Sequence, residues 1–153
     1  MIVGMHHVAI GVSDLEKALS FYCDALHFEV VQEGEFENRA EVDAAIGMTD
    51  IKARMAMLKG NNAFIELWEY ARPVPEDRRS RPCDLGYPHF ALQVTDIHDE
   101  YERLKAAGMT FAGEVVDFGE TSSAIYGKDP FGNIIELYEI KTTHMARLQD
   151  LTT

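Results

Sequence analysis

The fold is decided by two nine-residue stretches, HVAIGVSDL (residues 7–15) and HFALQVTDI (residues 89–97). They match in kind at eight of nine positions, with Gly11 against Gln93 the exception, and they lie 82 residues apart. Each reads as a short β-strand running into Ser or Thr followed by Asp, the mark of a helix N-cap with an acidic first turn; Ser13 with Glu16 also fits a capping box. Behind the first cap, Leu15, Ala18, Leu19, Tyr22 and Leu26 recur at helical spacing. Behind the second, Ile97, Tyr101 and Leu104 do the same until Gly108 stops the helix.

Outward from these two stretches the repeat continues. Strand-like runs follow each helix: FEVVQ, ARMAML and AFIELWEY in the first half, TFAGEVV, SSAIYG and NIIELYEI in the second. Each half therefore reads as β-α-β-β-β. Ile65-Glu66-Leu67 parallels Ile135-Glu136-Leu137 at an offset of 70, so the first half is 12 residues longer between its His and its Glu. The excess falls in EGEFENRAEVDAAIGMTD (residues 33–50), read as a polar loop with a short helix around Val42 to Ile46.

The expected organisation is a first βαβββ module over residues 1–70, a linker over 71–86, a second module over 87–141 and a tail over 142–153, read as a short surface helix without chemistry. Four of the five prolines fall between Pro73 and Pro88, and Arg72, Arg78, Arg79 and Arg81 make the linker locally basic, read as solvated charge. KDPFGN (residues 128–133) places Pro130 and Gly132 where a tight turn wants them. His27 stands where a helix usually ends in Gly, a place for the left-handed conformation.

Composition bounds the function. The 153 residues are 46% hydrophobic, enough for a packed core. The formal net charge of −12 repels phosphate backbones and acidic lipid surfaces, which argues against nucleic acid and membrane partners. No apolar run approaches the ~20 residues of a membrane span, and no basic stretch precedes an apolar one at the N-terminus, so a cytoplasmic protein is expected. Cys23 and Cys83, far apart and outside any CxxC pattern, read as free thiols.

Alternation on the strands selects the chemistry. His7, Ala9 and Gly11 share one face of their strand, while Val8, Ile10 and Val12 share the apolar other. His89, Glu66 and Glu136 fall on the corresponding face of their own strands. His6 has no such role, because it aligns with Pro88, which cannot be a ligand. Two imidazoles and two carboxylates, His7, Glu66, His89 and Glu136, suit a divalent transition metal with mixed nitrogen and oxygen ligands and leave positions for water or substrate.

The motifs HHVAIGVSDLEKALSFYCDAL, FIELWEY, PHFALQVTDI and DPFGNIIELYE together resemble the vicinal oxygen chelate superfamily of glyoxalases, bleomycin-resistance proteins and extradiol dioxygenases, over residues 4–140. The resemblance implies an α+β fold in which two βαβββ modules form a cupped mixed β-sheet around a metal site. It implies a divalent metal (Zn, Ni, Co, Mn or Fe) at His7, Glu66, His89 and Glu136, a ligand set similar to that of bacterial glyoxalase I. A small-molecule substrate and a homodimer are implied too, with the site closed within one chain or across two.

The chemistry implied is that of a metal-dependent lyase or isomerase, the metal chelating vicinal oxygens of a small carbonyl compound while a carboxylate moves a proton. Glu136 is the favoured carboxylate and Glu66 the second; Glu35, Glu37 or Glu41 of the longer loop is the alternative. Other members imply other readings: an extradiol-type dioxygenase, a methylmalonyl-CoA epimerase-like enzyme, or a non-catalytic resistance-type binder. Departures are visible as well. Gly11 stands where bacterial glyoxalase I has an Arg used for glutathione, and Tyr70 occupies a place that there helps bind the same substrate.

Overall fold

A computed structural model describes residues 1–151. The chain divides into two compact units, Met1–Asp77 and Arg78–Thr153. Both are α+β, and each contains one mixed sheet.

In the first unit β1 (His7–Gly11) leads into α1 (Leu15–Ser20), which continues as a π-helical turn over Phe21–Ala25. Three further strands follow: β2 (Glu29–Glu37), β3 (Lys52–Lys59) and β4 (Phe64–Arg72), with α2 (Ala40–Ile46) between β2 and β3. The sheet order is β1-β4-β3-β2; β1 runs parallel to β4 and the other pairs are antiparallel. The helix cap is Asp14 rather than Ser13, its carboxylate accepting from the Lys17 N–H at 3.0 Å. His27 does take the left-handed conformation, with φ of 60°.

Alternation decides what each sheet face does. Ile65, Leu67, Ala56 and Leu58 are buried, and α1 packs on β3 and β4 with Leu15, Ala18 and Tyr22 also buried. Each large apolar side chain taken from water there contributes about 1.5–3 kcal/mol. The residues between them, Glu66 and Trp68 on β4 and Met57 on β3, belong to the other face and stay half-buried.

Two expectations are corrected here. Residues 33–37 are strand rather than loop: β2 continues to Glu37, pairing with β3 as far as Lys52. The run is charged because it forms the outer strand of the sheet, where Glu33, Glu35 and Glu37 stay exposed. The remaining insertion is ordered by α2, whose Asp43 carboxylate accepts from the N–H groups of Asp50 and Ile51 at 2.7 and 3.2 Å. The strand β4 also runs to Arg72, two residues past the expected module end, where Arg72 bonds Asp50.

The second unit repeats the plan with β5 (His89–Gln93), α3 (Ile97–Ala106), β6 (Thr110–Phe111), β7 (Val116–Asp117), β8 (Ser122–Lys128) and β9 (Ile134–Ile140). Its order is β5-β9-β8-β6, with β7 also on β8. TFAGEVV, expected as one strand, is broken into the short β6 and β7. The cap of α3 is likewise different from its expectation: Asp96 is left-handed (φ 54°) and makes no side-chain cap, while its N–H donates to Glu139 at 2.7 Å. KDPFGN turns on the buried Asp129, which accepts from the N–H groups of Phe131 and Asn133 and from the Asn133 amide at 2.8–2.9 Å.

Within the tail, expected as a short surface helix, Leu148–Asp150 forms a 3₁₀ helix with no buried residue. Gln93 holds it, accepting from the Leu148 N–H at 2.8 Å and bonding Gln149 at 2.9 Å. No helix among the described residues is long and apolar enough to cross a membrane.

Candidate functional site

The repeat in sequence is a repeat in register. In the parallel pair β1–β4, Ala9 lies beside Glu66 and Gly11 beside Trp68; in β5–β9, Ala91 lies beside Glu136 and Gln93 beside Tyr138. Each half thus presents one His and one Glu from neighbouring parallel strands on the face opposite its helix. Buried aliphatic neighbours, Ile65 and Leu67 around Glu66 and Ile135 and Leu137 around Glu136, fix both carboxylates on that face.

The pairs close to similar distances. His7 Nε2 is 3.5 Å from Glu66 Oε2, and His89 Nε2 is 3.3 Å from Glu136 Oε2. The carboxylates keep 14% and 16% of their side-chain exposure and the imidazoles 37% and 27%, so all four groups are shielded yet reachable. Among the described residues, no group of three or more His, Cys, Asp or Glu is gathered to hold a metal; each unit brings together one pair.

The surroundings of the two pairs differ. In the first unit His6 Nδ1 lies 2.9 Å from His7 Nδ1, and the His6 ring stacks on Phe64. His6, which the repeat leaves without a task, therefore holds the far nitrogen of His7 while Nε2 turns to Glu66. Such a hydrogen bond to the second ring nitrogen orients a ligating imidazole. Trp68 Nε1–H donates to Glu66 Oε2 at 2.6 Å, a contact the alternation of β4 signals because positions 66 and 68 share a face.

In the second unit Tyr126, beside Glu136 in the β8–β9 register, sets its ring edge-on to His89 with centroids 4.9 Å apart. Burial raises the Tyr126 phenol above its ordinary value, and the charge and hydrogen bonding of Glu136 raise it further. Tyr70 shifts the same way, through burial first and the Glu66 charge second. The loop carboxylates stand elsewhere: Glu37 pairs with Lys52 at 3.0 Å, Glu41 pairs with Arg39, and Glu35 is exposed on β2. Of the basic linker residues, Arg72 bonds Asp50, Arg79 the Phe131 carbonyl, and Arg81 Asp84.

Residues 4–137 match the model of the glyoxalase/bleomycin resistance protein/dioxygenase superfamily. The chain belongs to that superfamily. A relative from an Actinomyces species named 2-epi-5-epi-valiolone epimerase is 32% identical over 151 residues, covering 90% of this chain and 80% of the relative. A probable lactoylglutathione lyase from Vibrio cholerae is 28% identical, covering 90% and 91%. Among solved structures, a glyoxalase family protein from Bacillus cereus superposes with a TM-score of 0.83 at 24% identity, covering 93% of this chain and 97% of the other, which shows the shared fold. A second, from Enterococcus faecalis, is 28% identical with a TM-score of 0.68, covering 90% and 98%.

Superfamily membership and the paired His–Glu registers concern the same strands. Superfamily members typically use divalent metals, and relatives of this chain carry the names of lyases and epimerases. The donor chemistry of this chain fits such an ion: each pair offers one imidazole nitrogen and one carboxylate oxygen aimed at each other, the mixed set that borderline divalent transition metals accept.

Proposed function

We propose that this protein is a divalent-metal-dependent isomerase or lyase acting on a small α-oxo or α-hydroxycarbonyl compound. His7, Glu66, His89 and Glu136 would hold the metal, with the two pairs supplied by one chain or by two copies. The observation that carries the reading is the recurrence of one His–Glu pair at matched register in each half, at 3.5 and 3.3 Å. A relative at 32% identity named as an epimerase supports the isomerase side, and one named as a probable lactoylglutathione lyase supports the lyase side.

A divalent metal held there would supply Lewis acidity, favouring negative charge on the substrate oxygen and so acidifying the C–H next to the carbonyl. The chain supplies the rest. Glu136 is the proton carrier, its Oε2 facing His89 and its charge facing the Tyr126 hydroxyl. Glu66 is the more firmly tied carboxylate, because the indole of Trp68 holds its Oε2 at 2.6 Å. The partial burial of both carboxylates keeps bulk water from competing for the proton.

The test is proton exchange. The metal-loaded protein is incubated in heavy water with a panel of α-hydroxyketones and α-hydroxyaldehydes, and NMR reads deuterium at the carbon next to the carbonyl. Exchange that Glu136→Gln reduces at least about a hundredfold, in the range for a general base, supports the reading. Absence of exchange across the panel, with oxygen uptake on catechols in its place, contradicts it.

A further inference from the structure

The face that carries His7 and Glu66 continues into a surface that the metal ligands leave unused. At the level of Trp68 the four strands of the first sheet place Gly34, Met55, Trp68 and Gly11 in one row, none of them charged. Phe36 folds over Gly34, where an added β-carbon would sit 3.0 Å from its ring tip, and stacks on Trp68 at a centroid distance of 5.3 Å. Tyr70 stacks on Trp68 at 5.3 Å as well. Three large rings thus form a wall on the sheet face beside Glu66, and all three remain half-buried rather than enclosed.

The strip next to this wall is open. Ala9 and Gly11 are exposed, and nothing lies within 4 Å of a β-carbon added to Gly11. The second half fills the equivalent place with Gln93, whose amide is engaged by the tail. Gly11 is therefore the single position at which the two nine-residue repeats differ in kind, and it is the position at which the first half keeps space. Within this row Trp68 has its N–H committed to Glu66, so what its ring adds is apolar surface.

We infer that Gly11 and the Phe36–Trp68–Tyr70 wall form a specificity slot that seats an uncharged ring, placing the ring's vicinal oxygens toward His7 and Glu66. The inference rests on the proposed metal-dependent reading for the direction of the oxygens. Ring shape follows from the wall: stacked aromatics offer an extended flat surface, and a cyclic ligand surrenders fewer rotors on binding than an open chain of equal size. Absence of charge follows from the row itself, which offers no cation to an anionic group and would desolvate one without a partner.

Trp68 is the chain's single tryptophan, so its emission reports the slot directly. The probes are adipoin, a cyclic α-hydroxyketone, and propioin, its open-chain counterpart with the same number of carbons, titrated onto the metal-loaded protein. The expected result is a saturable change in emission with adipoin bound at least about tenfold more tightly than propioin, a gap of about 1.4 kcal/mol. Gly11→Gln, which copies the residue already carried at the equivalent place, removes the preference while metal content by elemental analysis is unchanged. Phe36→Leu, which keeps an apolar side chain but loses the flat ring, lowers it too and serves should Gly11→Gln misfold. Equal affinity for the two probes, no binding of either, or a preference surviving both substitutions overturns the inference. Failure of the metal-dependent reading is registered separately, by elemental analysis and heavy-water exchange of the parent protein, whereas the slot variants are read by the ratio of probe affinities and by metal content.

Discussion

Nε2 of His89 lies 3.3 Å from Oε2 of Glu136, and the same two atom types of His7 and Glu66 lie 3.5 Å apart in the other half. The pairs are alike because β1–β4 and β5–β9 share one parallel register, in which Ala9 sits beside Glu66 and Ala91 beside Glu136. That register rests on the hairpins that deliver β4 and β9, and in the second half the hairpin turns on one buried carboxylate.

Asp129 is 3% exposed and accepts from two backbone N–H groups and one side-chain amide of the Phe131–Asn133 turn. Replacing it with Ala strands those donors, at a cost of about 1–3 kcal/mol. Asp129→Asn keeps an accepting oxygen and is expected to lose less. Urea denaturation of the two variants checks this, with the Ala variant expected to have the lower midpoint.

Gln93 is the anchor of the C-terminal segment, bonding both Leu148 and Gln149, while Met145 receives the Tyr138 hydroxyl at 3.8 Å. In Gln93→Ala the amides of residues 145–151 are expected to exchange at least about tenfold faster with deuterium, as for a segment whose local opening costs less. Amides of β9 keep their protection. Hydrogen exchange read by mass spectrometry separates the two segments.

The two cysteines are expected to react in order. Burial raises the Cys23 thiol above its ordinary value of 9.0, and the neighbouring Asp24 charge raises it further. A raised value means less thiolate at a given pH, and the thiolate is the nucleophile. Cys83 is exposed and Cys23 is not. At neutral pH iodoacetamide therefore labels Cys83 first, and Cys23 labelling climbs only as pH passes above the ordinary thiol value. Asp24→Asn moves that climb to lower pH, and peptide mapping at several pH values reads it.

Much of this architecture was legible from alternation alone. His7 and Glu66 stand opposite the helix-packed face because Ile10, Ile65 and Leu67 take the buried positions on their strands, a pattern written in every second residue. The short helix of the insertion, α2, falls on the residues where it was expected. What stayed hidden depends on partners distant in sequence. EGEFE reads as loop by its charge, and only pairing with β3 makes it an outer strand. The mismatch of Gly11 with Gln93 is visible in the sequence, but its meaning needs the tail folded back onto Gln93. His6 carried no pattern of its own; its role comes from the ring nitrogen 2.9 Å away on His7.

The central claim, that His7, Glu66, His89 and Glu136 together hold one divalent metal, is tested most directly by elemental analysis of the purified protein and of single Ala variants at these four positions. The account predicts about one transition-metal ion per chain in the parent protein. Removing any one of the four is expected to cost at least about tenfold in metal affinity, no less than the loss that follows when an outer-shell partner of a ligand is removed. Metal content unchanged in Glu66→Ala or His89→Ala, or no stoichiometric metal in the parent protein, would contradict it.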